Sequence, residues 1–221
     1  MNQHSVITEA TTAGPALSGR RILITGITDD ASLATEIARA VIGAGGQPVC
    51  AGLGPTSHHG ALSERARSHL EMAHESFRKT VAAELGEDTP AFACDLSLDA
   101  SLAELATALA EGDLALDGVL HAVAFDRTLR PGRRASLLDT TRDEFLECMN
   151  VSAWSLVGLL RELLAAGVLR EGAGIVALSY LGAARVVDHP YKNVGVAKAA
   201  LERIVGERGD PPAAAQRRSD R

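Results

Sequence analysis

Tyr191 and Lys198 are the pair of side chains in this sequence best suited to moving a proton. Seven residues, or about two helical turns, separate them, so a helix that carried both would set them on one face. An ammonium beside a phenol favours the phenolate and draws the tyrosine down from its ordinary value near 10. Helices also carry such pairs without any joint chemistry. Spacing alone therefore leaves a half-buried Tyr and a surface Lys as the other reading.

Several elements must position that pair. The apolar run at residues 175–178 reads as a buried strand, and an Ala-rich helix is expected to start near Asn193. At the other end, Arg21-Ile-Leu-Ile-Thr25 reads as a strand closed by Gly26. A helical pattern follows through Leu33, Ile37, Val41 and Ile42 to the Gly43-Ala-Gly-Gly46 stop. Strand, glycine turn and helix form the first half of a dinucleotide-binding unit. The turn lacks Gly-x-Gly-x-x-Gly, and Ser32 is either a plain N-cap or part of a helix start that faces a phosphate. Further strands are expected at 48–52, 92–96 and 118–125, with helices over about 102–110 and 142–164. The expected class is α/β, a Rossmann-like doubly wound parallel sheet. Its expected division is a disordered leader at 1–18, a dinucleotide-binding domain at 19–205 and an irregular tail at 206–221.

Composition narrows the partners. The chain has 221 residues, 46% of them hydrophobic, enough for one α/β domain with a sizeable core. Aromatics make up only 3%, so that core must be built from Ala, Leu, Val and Ile. A formal charge of -6 argues against nucleic acid, and no apolar run is long enough to span a membrane. With no signal-like N-terminus, a cytoplasmic location is expected. Cys50, Cys94 and Cys148 are widely spaced in apolar surroundings and read as reduced, packed thiols. The 55–89 segment holds His58, His59, His69 and His74 around a polar helix at about 62–85. His69 and His74, five apart, do not share a helical face, so a solvated excursion is expected and no metal site. Arg127, Arg130, Arg133 and Arg134 form a local basic loop that suits either solvent or a partner's phosphate.

The segment from Ser179 to Glu202 carries more than spacing. Ser-Tyr-Leu-Gly-Ala, then Arg185, Tyr191 and Asn-Val-Gly-Val-Ala-Lys-Ala-Ala-Leu-Glu closely resembles the catalytic segment of the enoyl-[acyl-carrier-protein] reductases. These are a divergent branch of the short-chain dehydrogenase/reductase superfamily, marked by six residues between tyrosine and lysine. Two departures are the 180–191 tract, one residue longer than the bacterial form implies, and Ala122 where the family shows Ser.

The resemblance implies an NADH-linked enzyme, with NADP not excluded, that reduces a trans-2-enoyl thioester in fatty acid or related acyl-chain synthesis. Tyr191, Lys198 and Tyr180 would be catalytic. Gly26, Ile27, Ser32, Leu33, Asp95, Leu96, Val123, Ala124 and Lys198 would hold the cofactor, with Asp95-Leu96 at the adenine. Tyr180, Phe125 and Asp126 would border the acyl substrate. Acyl carrier protein or an acyl thioester is the implied partner, and a homo-oligomer would form through the 142–164 helix. No carboxylate for the ribose and no arginine for an NADP phosphate stands at the end of the second strand, at 48–52.

The resemblance covers about residues 19–202. Gly206, Gly209, Pro211 and Pro212 then break the helix where relatives continue into a sixth strand, a nicotinamide-gripping loop, a substrate lid and a seventh strand. The expectation is a C-terminally truncated relative lacking the usual last strands. A noncatalytic relative or binding subunit of a split reductase, and a tailoring reductase of secondary metabolism, remain alternatives.

Overall fold

In the computed structural model, which describes residues 15–129 and 136–207, the apolar runs form strands and most of the 3.6-residue patterns form helices. The first unit is β1 (Arg21–Thr25), α1 (Leu33–Gly43) and β2 (Gln47–Gly52). It is followed by α2 (Glu64–Leu85), β3 (Ala91–Ala93), α3 (Asp99–Glu111) and β4 (Leu116–His121). The second half holds α4 (Arg142–Met149), α5 (Ser155–Ala165), β5 (Leu169–Ala177) and α6 (Lys192–Glu207).

The five strands lie in the order β3-β2-β1-β4-β5, and every pairing is parallel. The chain leaves β1 for β2 on one side and returns to β4 on the other, so a crevice opens beside the carboxyl end of β1. Strand alternation sends Leu23, Val49 and Val119 toward α3, α5 and α6. Their neighbours Ile24, Cys50 and Leu120 face α1 and α2. Two apolar cores result, one on each face of the sheet. Cys50, Cys94 and Cys148 are free and buried. Burial pushes the Cys50 and Cys94 thiols up to about 12, so they act as small apolar side chains.

Two expectations change. The helix expected over 142–164 is interrupted by a π-helical turn, Asn150–Trp154, between α4 and α5. β5 begins at Leu169 rather than near Ile175, because its pairing with β4 slips between Leu116↔Leu169 and Gly118↔Gly174 and the chain bulges at Gly172. α6 starts at Lys192, beside the expected start near Asn193, and Tyr191 stands just before it; its carbonyl accepts the Gly195 N–H at 3.0 Å, which opens the helix. Most of the 1–18 leader, Arg130, Arg133 and Arg134 of the basic loop, and most of the 206–221 tail lie outside the described residues.

Candidate active site

The loops leaving β1, β2, β3 and β4 surround a cavity of about 790 Å³, a size and place that suit an organic ligand. Gly26, Ile27 and Thr28 form one wall, Gly52 and Leu53 the next, and Asp95 and Leu96 a third. Val123, Ala124 and Phe125 close the fourth side with Leu146 and Asn150. The lining is largely apolar, and the Asp95 carboxylate supplies a fixed polar group. Burial works to raise the Asp95 carboxyl, yet hydrogen bonds from Ser97 and His59 prevail and hold it below the usual carboxylate range.

The residues fit a dinucleotide. Gly26 sits at φ +91°, and a Cβ there would meet the Ala122 carbonyl oxygen at 2.1 Å, so backbone reaches the crevice where a side chain has no room. Ser32 caps α1 by accepting from the Thr35 N–H at 3.3 Å, and Leu33 is 70% exposed. Neither lines the cavity; both stand at the helix start beyond it.

The exit of β4 is held from behind. Lys198, 3% exposed, donates from Nζ to the Val123 carbonyl at 2.8 Å. Desolvation lowers its amine to about 8. The π turn brings two serines to the same loop. Ser152 Oγ accepts from the Phe125 N–H at 2.9 Å and donates to the Phe125 carbonyl at 3.2 Å. Ser155 Oγ donates to the Val151 carbonyl at 2.7 Å, so its contact with His121 Nε2, also 2.7 Å, is accepted from the imidazole. π turns mark functional sites because the extra residue re-aims side chains that a regular helix would spread.

Among the described residues, that assignment leaves His121 Nδ1 as a buried lone pair without a partner. Desolvation first, and the nearby Lys198 charge second, lower this imidazole to about 4. It is therefore neutral in the fold, whereas the unfolded chain takes up the proton near the ordinary value of 6.5. As pH falls from 6.5 toward 4 the unfolded state binds more protons, and stability should drop by about 3 kcal/mol across that window. Urea midpoints measured against pH should lose this part of their slope in His121→Gln; an unchanged slope would show that His121 does not set it.

The tyrosines are placed differently from each other. Tyr180 buries its hydroxyl, which finds no hydrogen-bond partner among the described residues. Tyr191 is 41% exposed, with its ring edge-on to His189 at 4.2 Å and to Tyr180 at 5.8 Å. Among the described residues no hydrogen bond joins the Tyr191 phenol to Lys198: the amine is engaged with Val123 and the phenol belongs to an aromatic cluster before α6.

Asp126 is buried rather than open to a substrate. Its Oδ1 accepts from Thr128 N–H, Thr128 Oγ1 and Asn193 Nδ2, tying the β4 exit to α6. Arg127 pairs with Glu147 at 3.0 Å. Sequence reasoning passed over His59, Ser152, Ser155 and Asn193 as contributors to the site. Only Ser152 and Ser155 carried a signal, as polar residues on an otherwise apolar helix face.

A family model described as enoyl-(acyl carrier protein) reductase matches residues 26–207. The chain belongs to the enoyl-(acyl carrier protein) reductase family. It is 36% identical over 189 residues to the enoyl-[acyl-carrier-protein] reductase [NADH] FabI of Aquifex aeolicus, a match covering 86% of this chain and 62% of that protein. The FabI of Bacillus cereus is 32% identical, with 86% and 66% covered. The chain thus spans less than two thirds of the length of these relatives. Among solved structures, an Anaplasma phagocytophilum reductase in complex with NAD superposes with a TM-score of 0.71 at 28% identity, covering 89% of this chain and 67% of that one. A Bacillus cereus reductase with NADP+ and indole naphthyridinone gives 0.67 at 28%, covering 87% and 69%. The enoyl reductase resemblance and the parallel Rossmann-like sheet are thereby borne out.

Proposed function

We propose that this chain carries the dinucleotide-binding and proton-handling part of an enoyl-[acyl-carrier-protein] reductase that uses NADH. The observation that carries the reading is the cavity at the carboxyl ends of four parallel strands, with the Lys198 amine buried behind its Val123 wall. Gly26 and Ile27 would lie against the pyrophosphate, with Ser32 and Leu33 at the helix start beyond. Asp95 and Leu96 would hold the adenine, and Val123 and Ala124 the nicotinamide side. The bound cofactor would supply hydride to the β-carbon of a trans-2-enoyl thioester.

The chain's own residues would do the rest. Lys198 has donors left over after its bond to Val123 and would hold a ribose hydroxyl while keeping positive charge near the reacting carbonyl. Tyr191 would donate a proton or hydrogen bond to the enolate oxygen formed on the thioester. Tyr180 and Phe125 would border the acyl chain, and Asp126 would set that border by fixing the loop. An acyl carrier protein would present the substrate. A second copy of the chain would pack along α4 and α5, where Trp154 and Leu164 are exposed. Among the described residues no helix is long and apolar enough to cross a membrane.

Mixing the chain with NADH or NADPH and a crotonyl thioester, while following absorbance of the reduced nicotinamide, tests the reading. Oxidation of NADH in preference to NADPH is expected, and a folded chain that oxidises neither overturns it. Tyr191→Phe should lower turnover about 100-fold, the small end of what a positioned acid supplies, because solvent reaches this phenol. Its affinity for NADH should change less than its turnover; unchanged turnover would remove Tyr191 from the chemistry.

A further inference from the structure

The segment between β2 and α2 is strapped down across the Asp95 end of the cavity. A Cβ on Gly54 would lie 2.6 Å from His74 Nδ1 and 3.1 Å from Ala93 Cβ, so only a glycine lets the chain pass between α2 and β3. Two adjacent imidazoles then tie the loop across. His58 Nε2 meets Glu104 Oε2 on α3 at 3.1 Å, and His59 Nε2 meets Asp95 Oδ2 at 3.0 Å. His59 Nδ1 accepts from the Thr56 N–H at 3.1 Å, which makes Nε2 the nitrogen that carries hydrogen and hence a donor to Asp95.

Asp95 is thereby nearly saturated. Its Oδ1 takes the Ser97 N–H at 2.9 Å and the Ser97 hydroxyl at 2.6 Å, and its Oδ2 takes His59. A carboxylate offers about four acceptor positions, so about one remains, on Oδ2. Asp95 lines the cavity, and the cavity-facing ligand group it accepts must be a hydrogen donor. The two Ser97 bonds converge on one oxygen and leave the carboxylate free to swing about it. The His59 bond stops that swing, and its nearly buried imidazole covers one side of the carboxylate. A donor arriving from a ligand then meets an oxygen already oriented, so little ordering has to accompany the hydrogen bond.

We infer that His59 is a positioning residue that makes the Asp95 end of the cavity selective for the exocyclic amino group of an adenine ring. The inference rests on the dinucleotide reading above and deepens it. Hypoxanthine, which presents a carbonyl where adenine presents the amino group, would set acceptor against acceptor.

The test compares binding of NADH and of reduced nicotinamide hypoxanthine dinucleotide to the 221-residue chain, read by reduced-nicotinamide fluorescence. The unaltered chain should prefer NADH by about tenfold or more, as one charge-assisted hydrogen bond implies. His59→Ala should bring the preference to within about threefold, and His59→Gln, whose amide can donate to Asp95, should restore part of it. Loss of packing alone would weaken both ligands equally and leave the ratio unchanged. An undiminished ratio in His59→Ala overturns the inference while leaving Asp95 as the adenine contact. Equal binding of the two by the unaltered chain overturns the Asp95 assignment and the inference with it, and no binding of either overturns the dinucleotide reading. Should His59→Ala fail to fold, imidazole nitrogen resonances of the unaltered chain decide instead. Adenosine monophosphate should shift the His59 Nε2 signal, inosine monophosphate should not, and equal shifts overturn the inference.

Discussion

Lys198→Met should lower turnover of an enoyl thioester by about 100-fold or more while the protein still folds, because it removes a preorganised positive donor from a water-poor site. Two opposing terms keep the fold. The buried amine titrates near 8 in the native state against 10.5 ordinarily, so carrying its charge at neutral pH costs the fold about 3 kcal/mol. Met removes that cost and in exchange leaves the Val123 carbonyl without its donor, a loss of about 1–3 kcal/mol. The melting temperature should therefore stay near that of the unaltered chain, and a drop in rate cannot be put down to unfolding. The signs of the pH effects are fixed as well. The native state releases this proton first, so between pH 8 and 10.5 the unfolded chain holds more protons and the Lys198 contribution to stability rises with pH. Turnover that needs the charged amine should instead fall as pH passes about 8. In Lys198→Arg, whose guanidinium stays charged, the fall should move to higher pH even though its fork fits the pocket less well. Stopped-flow or steady-state rates across pH 6–10 would show this; a Lys198→Met enzyme with ordinary turnover would leave the amine a mere prop for the Val123 loop.

The sheet was legible because each strand's apolar run is short and bounded by glycine or polar residues. Arg21–Thr25 and the 48–52 run land within a residue of β1 and β2. Gly26, read as the turn after the first strand, and Asp95-Leu96, singled out by the family resemblance, both line the cavity. What could not be read was set by contacts distant in sequence. The apolar face from Phe145 to Leu159 gives the period of one regular helix, and nothing local announces the π turn that swings Ser152 and Ser155 onto the β4 exit. The strand start at Leu169 was hidden behind Arg-Glu-Gly-Ala-Gly, a polar, glycine-rich tract that pairs only because β4 lies beside it. The Tyr191–Lys198 spacing suggested one helical face, yet Tyr191 falls outside α6, where its ring is drawn into the His189–Tyr180 cluster. His59 sat among residues read as a solvated excursion. Its role appears only when the fold brings it across thirty-six positions of sequence to Asp95.

Gly26→Ala should destabilise the fold by about 4 kcal/mol, combining the strain of a side chain at positive φ with a steric overlap that has nowhere to go. The added methyl would sit 2.1 Å from the Ala122 carbonyl oxygen and 2.7 Å from its carbon, both backbone atoms. β1 and β4 pair directly through Thr25↔His121, and the buried Thr25 hydroxyl donates to the Leu120 carbonyl at 3.2 Å. Opening a gap for the methyl therefore means unzipping the carboxyl ends of the two central strands. Domains of this size are stable by only about 5–15 kcal/mol, so the variant should lie close to unfolding at room temperature. The same displacement would move Gly26, Val123 and Ala124 apart at the crevice, and dinucleotide affinity should fall with the stability. Gly174→Ala is the control: among the described residues a Cβ at that position meets nothing within 4 Å, and its unfolding free energy should stay within about 0.5 kcal/mol of the parent. If Gly26→Ala unfolds at the same urea concentration as Gly174→Ala and still binds NADH, β1 and β4 have room between them, and the close approach of backbone at the crevice is not what shapes the site.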